Sequence, residues 1–241
     1  MTLLDASGVQ AADSDPEPEY DNSGDVGSIS ISYGATDSDV TILTGKGDDS
    51  INTWFVGTED EEGEDSSATI STGAGEDWVL GSMNDDSIDL GSGDDFVPAS
   101  DGEDIITMGD GNDTYSLSDT QLTTIDAFDT ITDFTPNTVG QGTGGEANED
   151  GAAVGLDDRD GDVIDLSVFG SQSLAVEVFA NASDATTFLA NNDGDGELNI
   201  ALDDSTGLLY MDIDDNGFAN SVIELQGVTD IDEAAFSTNI I

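Results

Sequence analysis

The chain has 241 residues, of which 55 are Asp or Glu, and its formal net charge is −53 because Lys46 and Arg159 are its only basic residues. Nucleic acid is excluded as a partner, since phosphate binding requires clustered Lys and Arg. The absence of Cys and His from the sequence excludes disulfides and any thiolate or imidazole metal site. Only oxygen ligands remain, so we expect hard cations to offset the charge.

The first 27 residues are acidic and rich in Ser, Gly and Pro, which predicts a disordered tail. The opening residues, MTLLD, have neither the basic flank nor the apolar run of a cleavable secretion signal, so we expect any export signal to lie elsewhere. No apolar stretch approaches the roughly 18 residues of a membrane-spanning helix. We therefore expect no membrane span.

Short apolar alternations follow the tail and predict brief strands, first at Ile29 and Ile31 and then at Val40 and Ile42. The unit TGKGDDSIN at residues 44–52 has the form of a nonapeptide repeat and is separated from the later ones by an acidic insertion. We expect this unit to begin a coil, with an irregular loop after it.

Residues 72–116 divide into five consecutive nonapeptides, TGAGEDWVL, GSMNDDSID, LGSGDDFVP, ASDGEDIIT and MGDGNDTYS. The fourth position holds Gly or Asn, which predicts a left-handed backbone in a tight turn. The sixth position is always Asp and the eighth is always apolar, which predicts a turn followed by a strand with one inward residue. The inward residues are Val79, Ile88, Val97, Ile106 and Tyr115.

The second position of these repeats alternates between Gly and Ser, so the full pattern recurs every eighteen residues. This alternation predicts a flattened coil in which two nonapeptides make one turn. Odd repeats then lie on one edge of the coil and even repeats on the other. The second-position residues are Gly73, Ser82, Gly91, Ser100 and Gly109.

The nonapeptides resemble the hemolysin-type calcium-binding repeat, the RTX motif GGxGxDxUx. The resemblance implies an all-β fold, with a parallel β-roll at residues 28–118 and a small, mainly β capping and secretion domain with one short helix at residues 119–241. It also implies Ca²⁺ ions between the turns. The metal-binding residues it implies are Asp49, Gly73, Gly75, Asp77, Asn84, Asp86, Gly91, Gly93, Asp95, Gly102, Asp104, Gly109, Gly111 and Asp113.

In this family repeats n and n+2 share an edge, which implies at least three calcium sites. The paired carboxylates would be Asp77 with Asp95, Asp95 with Asp113, and Asp86 with Asp104. Loss of Asp95 should then affect two sites and loss of Asp86 only one. We expect the glycine-rich edge to bind more tightly than the edge that carries Ser82, Asn84 and Ser100.

The five inward residues predict only a thin core, so metal binding should supply part of the folding free energy. Trp78 and Phe96 occupy the seventh position of alternate repeats, so we expect them to be neighbours that face outward. They could form a stacking platform for a ligand or be covered by another part of the chain.

The sequence after the repeats resembles the C-terminal region of exported RTX proteins, including serralysin-type proteases. The resemblance lies in DTITDF at residues 129–134, DVIDLS at 162–167 and the segment 206–236. It implies export by a type I secretion transporter and an extracellular or cell-surface location.

Two local structures are also predicted in this part of the chain. Residues 136–161 predict a mobile acidic loop, and residues 183–192 predict a helix with Ser183 as its N-cap.

Two Asp-rich segments match the first half of an EF-hand loop. One contains Asp212, Asp214, Asn216 and Gly217, and the other runs from Asn191 to Gly196. Neither has an acidic residue at the twelfth position, so we interpret both as Asp-Gly turns, with accessory ion binding as the alternative.

The favoured function is a non-enzymatic, calcium-binding structural or surface-associated protein, with a surface or polysaccharide as a possible partner class. The first alternative is the RTX portion of an extracellular enzyme such as a polysaccharide hydrolase, lipase or epimerase. A serralysin-like protease is excluded, because the sequence lacks the His residues of its zinc motif. The second alternative is that the acidity reflects a saline habitat.

Overall fold

The computed structural model describes residues 2–5, 28–32, 39–54, 67–117, 128–137, 161–170, 173–192, 194 and 196–237. Residues 2–5 form a strand, whereas the rest of the predicted tail, residues 6–27, lies outside the described residues. Most of the predicted acidic loop, residues 138–160, lies outside them as well. The described part of the chain is mainly β, as predicted.

The strands form one ten-stranded and one seven-stranded sheet. In chain order they are β1 (Thr2–Asp5), β2 (Ser30–Ser32), β3 (Val40–Leu43), β4 (Ser50–Asn52), β5 (Ala68–Ala74), β6 (Trp78–Leu80), β7 (Ser87–Ser92), β8 (Phe96–Pro98), β9 (Ile105–Thr107), β10 (Thr114–Ser116), β11 (Thr130–Ile131), β12 (Val163–Asp165), β13 (Ser173–Phe179), β14 (Glu197–Asp203), β15 (Leu208–Asp212), β16 (Ser221–Leu225) and β17 (Phe236–Ser237).

Strands β1 to β12 alternate between the two sheets. The larger sheet has the order β1-β3-β5-β7-β9-β11-β16-β15-β14-β13, and the smaller has the order β17-β12-β10-β8-β6-β4-β2. Within each sheet these twelve strands pair in parallel. Ile88 pairs with Ile106 in one sheet and Val97 with Tyr115 in the other, so equivalent residues are eighteen apart.

The eighth-position side chains point between the sheets, as the sequence predicts. All five are at most 2% exposed. The prediction of a thin core was wrong, because a second set of inward residues, including Leu90, Ala99 and Met108, joins them in one hydrophobic cluster. These three occupy the first position of their repeats, so three of the five nonapeptides contribute an apolar residue to the core both before and after the turn.

The expectation that the unit at residues 44–52 begins the coil was wrong, because the stack already includes β2 and β3, which lie within the predicted range 28–118. Strand β2 pairs with β4, and β3 pairs with β5. The insertion between residues 52 and 68 does not break the stacking, because β4 pairs directly with β6. Trp78 and Phe96 are paired neighbours on adjacent strands, as predicted, and both are partly buried.

The segments DTITDF and DVIDLS extend the two sheets by one strand each. Strand β11 pairs with β9, and β12 pairs with β10. Beyond β11 the larger sheet continues with β16, β15 and β14 in antiparallel pairs, and β13 closes its end parallel to β14. Inward residues of these strands, such as Ile200 and Ile223, belong to the same core cluster as the repeats.

One α-helix, α1 (Ala182–Asn191), connects β13 to β14 and packs on the other face of the C-terminal strands through Ala185 and Leu189. Its N-cap is Asn181, not Ser183 as predicted, because the Asn181 side chain accepts a 3.0 Å hydrogen bond from the backbone N–H of Asp184. Ser183 lies within the first helical turn. No helix among the described residues has the length and apolarity needed to cross a membrane.

Candidate functional site

The turns between the two sheets form two edges with different sequences. We call the turns at residues 44–49, 72–77, 90–95 and 108–113 the glycine edge; they lead from the larger sheet into the smaller one. We call the turns at residues 81–86 and 99–104 the serine edge; they lead back into the larger sheet. Odd and even repeats therefore lie on opposite edges.

The sixth-position aspartates are buried and linked in a ladder along each edge. Their residues are at most 3% exposed. On the glycine edge, the backbone N–H of Asp77 donates to Asp95 Oδ1 at 2.7 Å, and that of Asp95 donates to Asp113 Oδ1 at 2.8 Å. On the serine edge, the N–H of Asp86 donates to Asp104 Oδ1 at 2.9 Å. The structure thus brings together the three predicted pairs of carboxylates.

The glycine-edge ladder leaves one oxygen of each carboxylate without a partner. The Oδ2 atoms are fully buried and accept no hydrogen bond from the protein. The residues that share this property are Asp49, Asp77, Asp95 and Asp113. An anionic oxygen buried in this way is costly unless a donor or a cation meets it.

The serine-edge ladder satisfies the corresponding oxygens within the protein. Asp86 Oδ2 accepts from the backbone N–H of Ser82, and its Oδ1 accepts from the Ser82 hydroxyl at 2.7 Å. Asp104 Oδ2 accepts from the Ser100 hydroxyl at 2.7 Å. The two edges therefore share an aspartate ladder but differ in how its second carboxylate oxygen is paired.

Each ladder ends in an aspartate outside the nonapeptides. Asp129 Oδ1 accepts from the backbone N–H of Asp104 at 3.0 Å, and its Oδ2 accepts from the hydroxyl of the fully buried Tyr115. Asp162 Oδ1 accepts from the N–H of Asp113 at 3.2 Å, and its Oδ2 accepts from the N–H of Thr135 at 2.6 Å. Both terminal carboxylates are thus paired on both oxygens.

Sequence reasoning missed Asp129 and Asp162 as members of the ladders, although a signal was present. Each is followed two positions later by a buried isoleucine, Ile131 or Ile164, as the sixth-position aspartates are followed by the eighth-position residue. The roles of the Ser82, Ser100 and Tyr115 hydroxyls could not be recognised in the same way, because they depend on which oxygens the stacking brings together.

Stacking of the turns explains the glycines of the glycine edge. Gly91 has φ of 97° and Gly93 has φ of 133°. A Cβ on Gly93 would overlap the carbonyl oxygen of Gly75, and one on Gly91 would overlap that of Gly73. A side chain at these positions would therefore separate the turns. The same close approach is found at Gly73, Gly75, Gly109 and Gly111.

The prediction of a left-handed backbone at the fourth position of each repeat holds only in part on the serine edge. Gly102 has φ of 115°, and a Cβ there would lie within 3.0 Å of the Asn84 backbone. Asn84 itself does not adopt a positive φ, contrary to prediction. Its backbone N–H donates to the Ser82 hydroxyl at 3.2 Å, so a local side-chain contact replaces the left-handed turn.

Burial makes the charged form of these carboxylates unfavourable. It raises the pKa of Asp95 to about 7, with repulsion from Asp77 adding to the effect. It also raises the pKa of Asp113 to about 7, assisted by repulsion from Asp162. On the serine edge burial raises the pKa of Asp104, and repulsion from Asp129 acts in the same direction. Near neutral pH each ladder therefore requires a proton or a cation.

The glycine edge fits a hard cation, although carboxylates alone would not complete its ligand set. In the described residues, no group of three or more acidic side chains converges on one point. Ca²⁺ takes about six to eight oxygen ligands and accepts irregular geometry. Carboxylate oxygens from the ladder would therefore have to be supplemented by backbone carbonyls of the glycine-rich turns and by water.

The predicted Asp-rich turn near the C-terminus uses its first carboxylate internally. Asp212 Oδ1 accepts from the N–H of Asn216 at 3.0 Å, and Oδ2 accepts from that of Gly217 at 2.7 Å. The Asp215 carboxylate accepts from the N–H groups of Gly194 and Gly196 at 2.8 and 2.9 Å, and so joins this turn to the second half-match. Asp193 and Asp195 of that second segment lie outside the described residues.

An open groove of about 560 Å³ lies beside the serine edge. Its floor includes Thr69, Ser87, Ile105 and Thr130, which pair across the larger sheet. Carboxylates of the flanking turns and of β16 form part of its walls. Ile105 is 54% exposed there, so the floor is partly apolar.

Comparison with known proteins assigns no family to this chain. No protein-family model matches the sequence, and no curated protein matches it either. The functional interpretation therefore depends on the buried aspartate ladders and on the repeat pattern that builds them.

Proposed function

We propose that this chain is a secreted protein that binds Ca²⁺ between the stacked turns of a parallel β-roll and completes its folding as the ions bind. The observation that carries the proposal is the row of four buried, unpaired carboxylate oxygens on the glycine edge. Each would be stabilised by a divalent cation, which supplies the positive charge that the surrounding protein lacks.

The β-roll is proposed from the path of the chain. Twelve successive strands alternate between two sheets and pair in parallel with a repeat of eighteen residues in the regular part. This path stacks equivalent turns directly on one another, as the contacts of Gly91 and Gly93 with the preceding turn illustrate. Stacked turns provide what a shared ion requires, namely carboxylates and carbonyls from two neighbouring levels.

Calcium suits this edge better than magnesium. Mg²⁺ requires near-ideal octahedral geometry and usually retains several waters, whereas Ca²⁺ accepts a larger and less regular set of oxygens. The ligands here would come from a fixed stack of backbone turns with no cluster of three carboxylates in the described residues. Asp77, Asp95 and Asp113 would hold the ions in the regular part of the edge, and Asp49 would hold one at its start.

The test is calorimetric titration of the full chain with CaCl₂ together with circular dichroism. We expect saturable binding of about three or four ions and an increase in β structure, with calcium affinities in the range of about 10⁻⁴ to 10⁻³ M that is typical of extracellular modules. MgCl₂ and NaCl at matched ionic strength serve as controls. Equal responses to NaCl and CaCl₂ would contradict the proposal and favour adaptation to a saline habitat.

Secretion is proposed from the resemblance of residues 129–134, 162–167 and 206–236 to the C-terminal region of RTX proteins. A calcium requirement for folding is compatible with it, because the ion would become available only outside the cell. The test is to express the chain in cells with and without a type I transporter. We expect the protein in the medium only when the transporter is present, and equal amounts in both media would contradict this part of the proposal.

A structural or surface-associated role is proposed in preference to catalysis. The groove beside the serine edge is the place where the enzymatic alternative can be tested, since Glu103 and Glu224 contribute to its lining. Hydrolysis of polysaccharides by the wild-type chain, lost in Glu224→Gln with unchanged calcium binding, would favour the enzyme. We expect no such hydrolysis.

A further inference from the structure

The second position of each repeat determines what lies beside the buried carboxylate of the same turn. On the serine edge the Ser82 and Ser100 side chains are at most 3% exposed, and their hydroxyls donate to Asp86 and Asp104. On the glycine edge the corresponding residues have no side chain, and the aspartate Oδ2 atoms have no partner. The alternation of Gly and Ser in the sequence thus coincides with the presence or absence of unpaired oxygens.

The Ser100 hydroxyl also lies close to the carboxylate of the preceding serine-edge turn. A Cβ added to Gly81 would lie closer than 3.0 Å both to the Ser100 hydroxyl and to Asp86 Oδ2. The hydroxyl of one turn is therefore next to the carboxylate of the turn eighteen residues earlier. On the serine edge this region contains hydrogen-bond donors. On the glycine edge the corresponding region contains none.

The glycine edge cannot accommodate serine side chains at the second position of its repeats. Gly73, Gly91 and Gly109 have φ between 97° and 104°, and a Cβ on any of them would overlap the carbonyl oxygen of the turn below. Ser82 and Ser100 do not have a positive φ, so a side chain fits there. Backbone conformation at this position therefore decides whether the protein can supply its own donor.

From these contacts we infer that Ser82 and Ser100 determine which edge takes calcium: their hydroxyls replace the cation, so the serine edge binds none and the ions occupy the glycine edge alone. This inference rests on the proposed function and restricts it. It differs from the prediction made from the repeats, in which Asp86 and Asp104 share an ion.

The experiment compares substitutions of two aspartates that have equivalent hydrogen-bond partners in the two ladders. Asp95 and Asp104 each accept from the aspartate N–H eighteen residues earlier and donate their own N–H to the next aspartate of their ladder. Asp104→Asn can retain its contact with Ser100, because the hydroxyl can accept from the new amide. Bound calcium is counted by equilibrium dialysis at saturating CaCl₂. We expect Asp95→Asn to lose one or two ions and Asp104→Asn to lose none.

A gain-of-binding variant tests the role of the hydroxyls directly. Ser82→Gly/Ser100→Gly removes both hydroxyls, which leaves Asp104 Oδ2 without its donor while the backbone N–H of residue 82 can still donate to Asp86 Oδ2. We expect the variant to bind at least one ion more than the wild type. Equal losses in Asp95→Asn and Asp104→Asn, or an unchanged count in the folded double glycine variant, would overturn the inference. If the double variant does not fold, Asp95→Asn and Asp104→Asn still show which edge binds calcium, because both serines remain in these variants.

The outcomes also separate this inference from the proposed function. A wild-type chain without saturable calcium binding would refute the proposed function itself. A wild-type chain that binds calcium and loses it equally from both ladders would refute only the assignment of the ions to one edge.

Discussion

The glycine edge and the serine edge differ in how they stabilise their buried aspartates. Both bury a row of aspartates whose Oδ1 atoms accept hydrogen bonds from the neighbouring turn, as Asp95 does on one edge and Asp104 on the other. The serine edge pairs Oδ2 with the Ser100 hydroxyl at Asp104 and with the Ser82 backbone N–H at Asp86, whereas the glycine edge leaves Oδ2 unpaired. The serine edge pairs both carboxylate oxygens within the polypeptide, and a proton on Asp104 can neutralise it near neutral pH. The glycine edge leaves one oxygen of each carboxylate for a donor or a cation from solution.

The comparison shows that the Asp of the repeat has two separable roles. Its Oδ1 atom connects turns, and this role is common to both edges. Its Oδ2 atom can receive a cation, and only the glycine edge leaves it available. On the proposed assignment of the ions, a repeat that retains its Asp but has Ser at the second position is structural and binds no metal.

The largest expected effect comes from Gly93→Ala on the glycine edge. The new Cβ would overlap the Gly75 carbonyl oxygen, and the residue would retain an unfavourable φ of 133°. We expect a loss of more than about 4 kcal/mol in the free energy of unfolding, because neighbouring backbones would have to separate. Urea denaturation in saturating calcium measures this loss.

Gly227→Ala is the matched control for that substitution. Gly227 also has a positive φ, 84°, but a Cβ there would meet nothing within 4 Å. Only the left-handed conformation is penalised, which costs about 1 to 2 kcal/mol. Similar losses in the two variants would show that the turns of the glycine edge are not tightly stacked.

The next largest expected effect is a change of the free energy of unfolding with pH in the absence of metal. Asp95 and Asp113 have pKa values of about 7 in the folded chain, raised by burial from 3.8. The folded state therefore binds more protons than the unfolded state, and the resulting stability is fully present below about pH 4 and lost as the pH rises through 7. We expect chelated protein to be more stable at pH 5 than at pH 8.

Calcium should change this pH dependence in a defined direction. Because Ca²⁺ and protons compete for the same carboxylates, calcium affinity should rise as the pH increases from 5 to 8. Denaturation curves at both pH values, with and without calcium, measure the two effects. A chelated protein that becomes more stable with rising pH would contradict the raised pKa values of the buried carboxylates in the two ladders.

A smaller effect is expected at the end of the serine edge. Tyr115→Phe removes the hydroxyl that donates to Asp129 Oδ2 and leaves a buried acceptor unpaired. We expect a loss of about 1 to 3 kcal/mol in the free energy of unfolding, with no change in the number of bound calcium ions. Asp129→Asn combined with Tyr115→Phe should cost less than the sum of the single changes. Additive losses would show that the two side chains are not coupled.

The repeat pattern predicted the alternation of the strands because its information is local and periodic. Val79 and Ile88 are inward since they follow an aspartate by two positions, and this spacing holds for every repeat. The core was underestimated because the first-position residues vary in type, so only the eighth position is apolar in every repeat. The helix N-cap was misassigned by two residues because Asn181 and Ser183 are both suitable capping residues.

The candidate site was less accessible to sequence reasoning than the fold. The sequence places Asp95 and Asp104 in the same repeat position and cannot show that one has an unpaired oxygen. That difference arises from the backbone of the preceding residues, where Ser100 can carry a side chain and Gly91 cannot. It becomes visible only when the turns are stacked in three dimensions.

The smallest expected effect separates specific calcium binding from general charge screening. Asp94 and Asp95 are adjacent on the glycine edge, but Asp94 is exposed and pairs with the N–H of Asn112 at 2.9 Å. Asp94→Asn removes the same charge as Asp95→Asn, yet we expect it to change the free energy of unfolding by less than about 0.5 kcal/mol and to leave the number of bound ions unchanged. Calorimetric titration of both variants provides the measurement. If calcium only screened the net charge, the two substitutions would weaken its effect equally, so unequal losses locate the ions at the buried carboxylates.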